Sequence, residues 1–431
     1  MVMTKEDIYN LIEEEDVEFI RLQFTDAFGN LKNLAVTPSQ LERVFDNQYS
    51  FVGSVIFNDE YDYKGELYLH PDLDSFVILP WRPQQGKVGK FLCDVYNEDG
   101  TPFQLSPRTI LKNVVDDATK RGYTIYVDPE CEFFLFQTDD NGRPTTVTHE
   151  TAGYMDVGPI DFGENARRDM VLNLEEMGFE IESSHHEKAP GQHQIAFKEA
   201  EAFQIADSIM TFRFAVRSIA KRFGLYATFM PKPKTSEAGS GMHFNISIYK
   251  DNKNIFRTRD GKVSDDAKHF MGGVMAHAQA LCAITNPIVN SYKRILTGFE
   301  APKYITWTTD AQNALFRVRN YFGDTKLDFR LADPSANPYL ALAACISAGL
   351  EGMEHNTNPG NDMAVSASIR GVKQLPENLK DAVAAFKKDP LMEKVLGKDF
   401  RDIYAKVKTS EWNDYMKEVS DWEIDRYLYR M

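Results

Sequence analysis

The chain of 431 residues is 43% hydrophobic and 26% charged, an ordinary globular composition with room for two to four domains at roughly 100–200 residues each. Its 49 Lys and Arg stand against 64 Asp and Glu, a net charge of −15; this argues against a nucleic-acid binder, whose phosphate contacts need basic patches. Anionic small molecules remain suitable partners where a few Arg and Lys converge. Four cysteines occur, Cys93, Cys131, Cys282 and Cys345, none in a C-x-x-C pair, so neither a disulfide framework nor a zinc ribbon is expected. The N-terminal stretch lacks an apolar signal core, and the longest apolar run, 340–350, falls short of the ~20 residues of a membrane span. The expectation is a soluble, cytoplasmic protein that contacts neither membrane nor nucleic acid.

In chain order, residues 17–24 predict a strand, 26–30 a turn and 31–36 a returning strand. Two further strands are expected at 75–81 and 89–95, separated by a turn-rich 82–87. A domain boundary falls near 99–107, where Asp99-Gly100 is a turn dipeptide and Ser106-Pro107 opens a helix that Gly122 ends. The domains are then 1–104 and 105–431. Strands follow at 123–136, 179–187, 193–197, 226–230 and 242–249, with helices at 164–177 and 202–223. Ser264 should cap a helix that runs to about Asn286, and the tail from Pro376 onward reads as helical, polar on one face. The class is α+β with a sheet of mostly antiparallel character.

Three segments place polar groups where a sheet face would be apolar. Side chains alternate along a strand, so Glu130 and Glu132 share one face, opposite Cys131, Phe133 and Leu135. Adjacent carboxylates repel unless a cation lies between them, although a strand with one wet face also accounts for them. His243, Asn245 and Ser247 likewise share a face, preceded by the Gly239-Ser240-Gly241 loop, which can bring backbone N–H groups near an anion. His186-Glu187 begins like a zinc-protease motif, but Pro190 replaces its second histidine. Glu187 is left as an oxygen ligand for a hard cation. A basic group, Lys293, Arg294, Arg317, Arg319, Lys326 and Arg330, fits carboxylate or phosphate, or surface ion pairing. No Walker loop is present.

The segments GQHQIAFK, FMPKP, GSGMHFNIS, NSYKR, GFEAP and DPSANPYLALAA, with RLQFTDAFGNLKN, PDLDSFVILPW and ECEFFLF nearer the start, together resemble class I glutamine synthetase over essentially the whole chain. That resemblance implies an N-terminal β-grasp domain, a C-terminal catalytic domain with a curved, mostly antiparallel sheet, and a homo-oligomer of two stacked hexameric rings whose sites lie between subunits. It implies ATP as co-substrate, two Mg2+ or Mn2+ ions, and transfer of phosphate to the glutamate γ-carboxylate before ammonia displaces it. By motif, Glu130, His243 and Asp328 resemble the ligands of the ion on ATP. Glu132, Glu187 and Gln194 fall on those of the ion facing glutamate. Arg294, Arg330 and Gly239 resemble glutamate-binding positions, Glu300 the flap glutamate, Arg317 a phosphate-binding arginine, and Glu182, Asn245 and Ser247 nucleoside-contacting positions.

Departures cluster in the same motifs. Val52 stands where the family has an ammonium-binding Asp, Gln194 replaces a Glu ligand, Gln312 an arginine, Asp328 a Glu, and Ala238 an Asn. A stretch around 355–372 is shorter than the family's. These changes imply a glutamate–ammonia ligase of reduced activity or one using another amine; the alternative is a catalytically silent paralogue with a binding or regulatory role.

Overall fold

The computed structural model describes residues 3–61, 63–81, 85–257, 262–298, 300–310, 313–321, 324–363 and 371–430. Gln312 and residues 364–370, within the stretch expected to be short, lie outside the described residues.

Helix α1 (Lys5–Glu14) starts at Thr4, whose hydroxyl accepts from the Asp7 N–H at 3.2 Å, the reciprocal cap that its sequence favours. Strand β1 (Val17–Thr25) returns through a turn in which Asp26 Oδ1 accepts from the N–H groups of Phe28 and Asn30. It pairs antiparallel with β2 (Leu31–Val36). Helix α2 (Leu41–Phe45), β3 (Ser50–Val52), β4 (Glu66–Pro71), β5 (Val77–Ile78) and β6 (Lys87–Tyr96) follow. The sheet runs β2-β1-β6-β4-β3, with β5 on β6, and β1 and β6 are parallel. The strand expected at 75–81 shrinks to β5. Asp72 caps a 3₁₀ turn over Leu73–Ser75, and Pro80 has no N–H to continue a ladder.

Helix α3 (Pro107–Lys120) begins at the expected proline. Ser106 makes no side-chain cap bond there, so the proline's fixed φ, rather than the serine, marks the start. A ten-stranded sheet follows: β7 (Thr124–Gln137), β8 (Ile181–His186), β9 (Gln192–Phe197), β10 (Ala200–Glu201), β11 (Leu225–Thr228), β12 (Met242–Lys250), β13 (Lys253–Asn254), β14 (Tyr304–Thr308), β15 (Ala314–Tyr321) and β16 (Asp324–Phe329). Its main order is β14-β15-β16-β12-β7-β9-β8, antiparallel except for β14 and β15, as expected. The helices are α4 (Glu164–Glu176), α5 (Ala202–Arg222), α6 (Asp265–Thr285), α7 (Val289–Thr297), α8 (Pro338–Glu354), α9 (Leu379–Lys388), α10 (Pro390–Leu396), α11 (Lys398–Tyr415) and α12 (Asp421–Tyr427). Ser264 caps α6 through the Ala267 N–H, as expected.

The apolar side of β7 and β12, including Phe133, Phe244 and Ile246, is buried in one core with α5, α6 and α8; Phe133 packs edge-on against Phe212 of α5. Helices α6 and α8 approach so closely that a Cβ at Gly273 would lie 2.1 Å from the Ala348 carbonyl oxygen. With one sheet face sealed by helices, the other is left for polar side chains. No described helix is long and apolar enough to cross a membrane. The tail is helical as expected, but Trp422, Leu428 and Tyr429 around α12 are exposed.

Candidate active site

Strand register gathers the sequence-selected residues on the open face. Across β7 and β12, Glu130 lies opposite His243 and Asp128 opposite Asn245. On the next pair, Asn245 lies opposite Asp328 of β16, which in turn faces Arg317 of β15. On the other side of β7, Glu132 lies opposite Gln194, which faces His185 of β8. Period-two alternation on each strand does the rest.

The set expected to hold the ATP-side ion is assembled. His243 Nδ1 is 3.4 Å from Glu130 Oε2 and 3.6 Å from Asp328 Oδ1. Asp328 is fully buried, and its Oδ2 receives Arg330 at 3.1 Å and Arg319 at 3.0 Å, with Arg317 Nε at 3.4 Å. Arg319 also reaches Glu130 at 2.7 Å. Burial acts to raise both carboxyl pKa values, but His243 and the arginines outweigh it and hold both below the usual carboxylate range.

The set expected on the glutamate side has the opposite electrostatics. Glu132 accepts from the Gly241 N–H at 2.8 Å and the Gln192 amide at 3.1 Å, yet burial raises its pKa. Burial, with the negative charges of Glu132 and Glu300 beside it, pushes Glu187 up to about 9. Both carboxylates line a void of about 20 Å³ together with Gly239, His243, Arg294, Glu300 and Arg330. That volume takes one water or one ion and no amino acid. Two buried carboxylates around an ion-sized hole fit a divalent cation. Gln194 is buried beside them, its amide donating to His185 Nε2 at 3.3 Å.

Arg294 is held by the carbonyls of Leu331 and Arg330 at 3.1 and 3.2 Å, so its guanidinium is oriented before any ligand arrives. A Cβ on Gly239 would sit 2.5 Å from the Pro231 carbonyl oxygen and 3.2 Å from Arg294, so the loop tolerates no side chain there. Glu300 ion-pairs with Lys188 at the edge of the void. Ser247 Oγ and Asn245 Oδ1 are buried without a hydrogen-bond partner. Glu182 is exposed on β8 but close enough to oppose ionisation of Asp128. Val52, on the edge strand β3, is 60% exposed and does not line this void.

Three contributors had no role in the sequence reading: Gln192 as donor to Glu132, Lys188 as partner of Glu300, and Asp128, which burial pushes up to about 7 despite Lys326 at 3.4 Å. Arg319 was read only as one of a basic group, and its bridge between Glu130 and Asp328 was not foreseen. The even spacing of Asp128, Glu130 and Glu132 was the available signal for Asp128.

Among the described residues, Glu150, Asp161, His186 and His193 also lie within metal-ligand distance of one another. Arg167 already bridges Asp161 and His193, each at 2.7 Å. His186 bonds Glu150 at 2.7 Å and the Glu187 carbonyl at 2.6 Å. Although burial opposes it, the Glu150 carboxylate raises the His186 pKa, and Arg167 places a cation against Asp161. The cluster underpins the loop that carries Glu187 and contains none of the expected ligands.

The glutamine synthetase β-grasp domain family matches residues 16–98, and its catalytic domain family matches residues 104–427. A glutamine synthetase of Clostridium saccharobutylicum is 51% identical over 436 residues, covering 99% of this chain and 98% of its own. One of Staphylococcus aureus is 45% identical over 438 residues with the same coverage. Among solved structures, GmaS without ligand and GmaS with ADP are each 32% identical over 98% of this chain and 99% of theirs, with TM-scores of 0.88 and 0.89.

Proposed function

Because the chain belongs to the glutamine synthetase family, we propose that it forms a γ-glutamyl amide from glutamate and ammonia, or another amine, through γ-glutamyl phosphate. ATP-dependent amide-forming ligase chemistry with a metal ion follows from membership of that family. The observation that supports the finer reading is the ion-sized void between Glu132 and Glu187, two carboxylates whose pKa values burial raises, joined at Glu187 by the neighbouring carboxylates.

In this reading two Mg2+ or Mn2+ sites lie on the open sheet face. Glu132 and Glu187 hold the ion facing glutamate, weakened by the neutral Gln194, and Glu130, His243 and Asp328 hold the ion on ATP. Bound there, such ions neutralise phosphate charge during transfer. Arg294 and Arg330 hold glutamate beside the Gly239 loop, Arg317 holds the transferred phosphate, and Glu300 covers the reacting carbonyl and takes a proton from ammonium. Asn245, Ser247 and Glu182 meet the nucleoside, and the buried unpartnered oxygens of the first two fit a polar ligand.

Activity is reduced relative to the family, because Val52, Gln194 and Gln312 each remove a charge the reaction uses. A cytoplasmic assembly of two stacked hexameric rings, with Val52 facing the site of a neighbouring copy, belongs to the same proposal. ADP release with ATP, magnesium and glutamate, with and without ammonium, tests it. Ammonium-stimulated release is expected, lost in Glu132→Ala. No glutamate-dependent release would replace the ligase with a silent binding or regulatory paralogue.

A further inference from the structure

We propose that Arg319 is a resident counter-cation of the ATP-side donor set and competes with a divalent ion for Glu130 and Asp328. This rests on assigning Glu130, His243 and Asp328 to that ion. The two carboxylates stand on separate strands, β7 and β16, with β12 between them. The Arg319 guanidinium, reaching in from β15, spans the gap: one terminal nitrogen is 2.7 Å from Glu130 Oε1 and the other 3.0 Å from Asp328 Oδ2. Arg319 and Glu130 are each only 16% exposed, and Asp328 not at all, so water screens these contacts little. A planar fork satisfies two separated carboxylates at once, which a point-like ammonium cannot do.

The same geometry leaves a coordination position open. Asp328 Oδ1 is buried with no hydrogen-bond partner. It lies 3.6 Å from His243 Nδ1, which is 3.4 Å from Glu130 Oε2. Three donor atoms therefore face one another on one side, while Arg319 takes up charge on the other. Of the set's two negative charges Arg319 cancels one, and Arg330 and Arg317 press on Asp328 as well. An incoming ion meets donors of suitable type whose charge is already spent. Arg319 thus occupies one oxygen of each carboxylate, balances part of their charge and weakens the second cation site.

Titration of the intact, nucleotide-free oligomer with Mn2+, followed by electron paramagnetic resonance, reads this without turnover. The wild type should show one tight class of site and one weak class. Arg319→Ala should tighten the weak class about tenfold or more, the scale of a lost charged hydrogen bond, with Arg319→Lys in between. In chelator, Arg319→Ala should melt below the wild type and be rescued by Mn2+. Glu130→Gln should abolish the second class in every background. An unchanged or weaker second class in both Arg319 variants would overturn the proposal and leave Arg319 a structural brace. If Arg319→Ala is not recovered folded, Arg319→Lys decides alone. Absence of ligase activity would defeat the proposed reaction without touching this result.

Discussion

Lys188 and Glu300, 112 residues apart, form an ion pair at the edge of the void that holds Glu132 and Glu187. Lys188 thereby offers Glu300 an ammonium of its own where substrate ammonium is proposed to arrive. Glu300 sits at a φ of 58°, a left-handed conformation uncommon outside glycine, so this segment is set by its contacts rather than by local preference. Lys188→Ala should lower the KM for ammonium about two- to fivefold, the worth of an exposed ion pair, with stability almost unchanged. An unaltered KM would show that Lys188 does not compete.

Val52 tests the dependence on a second copy. It is exposed at the sheet edge, outside its own chain's void, so Val52→Asp should shift stability by no more than about 0.5 kcal/mol. Ammonium-dependent kcat/KM should rise about tenfold or more if a lost charge at the site is restored, and only in the assembled oligomer. No gain would shift the deficit to Gln194 and Gln312.

Arg108 clamps the two sheets' domains together. From α3 it bonds Asp72 at 2.6 Å and Asp94 at 2.5 Å on the first sheet's side, and Asp207 of α5 at 2.8 Å. Arg108→Met leaves three carboxylates facing one another and should cost about 3–5 kcal/mol, seen as a lower denaturant midpoint. A midpoint within experimental scatter of wild type would show the cluster to be dispensable.

His277 gives a pH signature away from the site. Burial by itself would lower its pKa, but Asp389 at 2.8 Å, joined by Glu351 at 3.3 Å, raises it above the usual 6.5. A group with a raised folded pKa contributes fully below its unfolded pKa and loses that contribution as pH rises through the folded value. His277→Gln should therefore lower the melting temperature clearly at pH 6 and much less at pH 9. Equal losses at both would show that packing, not charge, holds α10 against α6 and α8.

The sequence by itself determined the strands and which side each residue faces. Glu130 and Glu132 against Phe133, and His243, Asn245 and Ser247 against Phe244 and Ile246, follow from a local period of two that no partner strand alters. It also determined the family, through motifs spread along the chain. Strand order and register were decided only in three dimensions, because they depend on pairings between distant segments. Arg319 meets Glu130 across 189 residues because β16 and β12 separate their strands, and nothing near either residue announces the other. Charge balance was likewise a tertiary outcome. Glu130 and Glu132 look alike in sequence, yet His243 and Arg319 lower the pKa of one and burial raises that of the other, since desolvation and counter-charge are properties of the packed site.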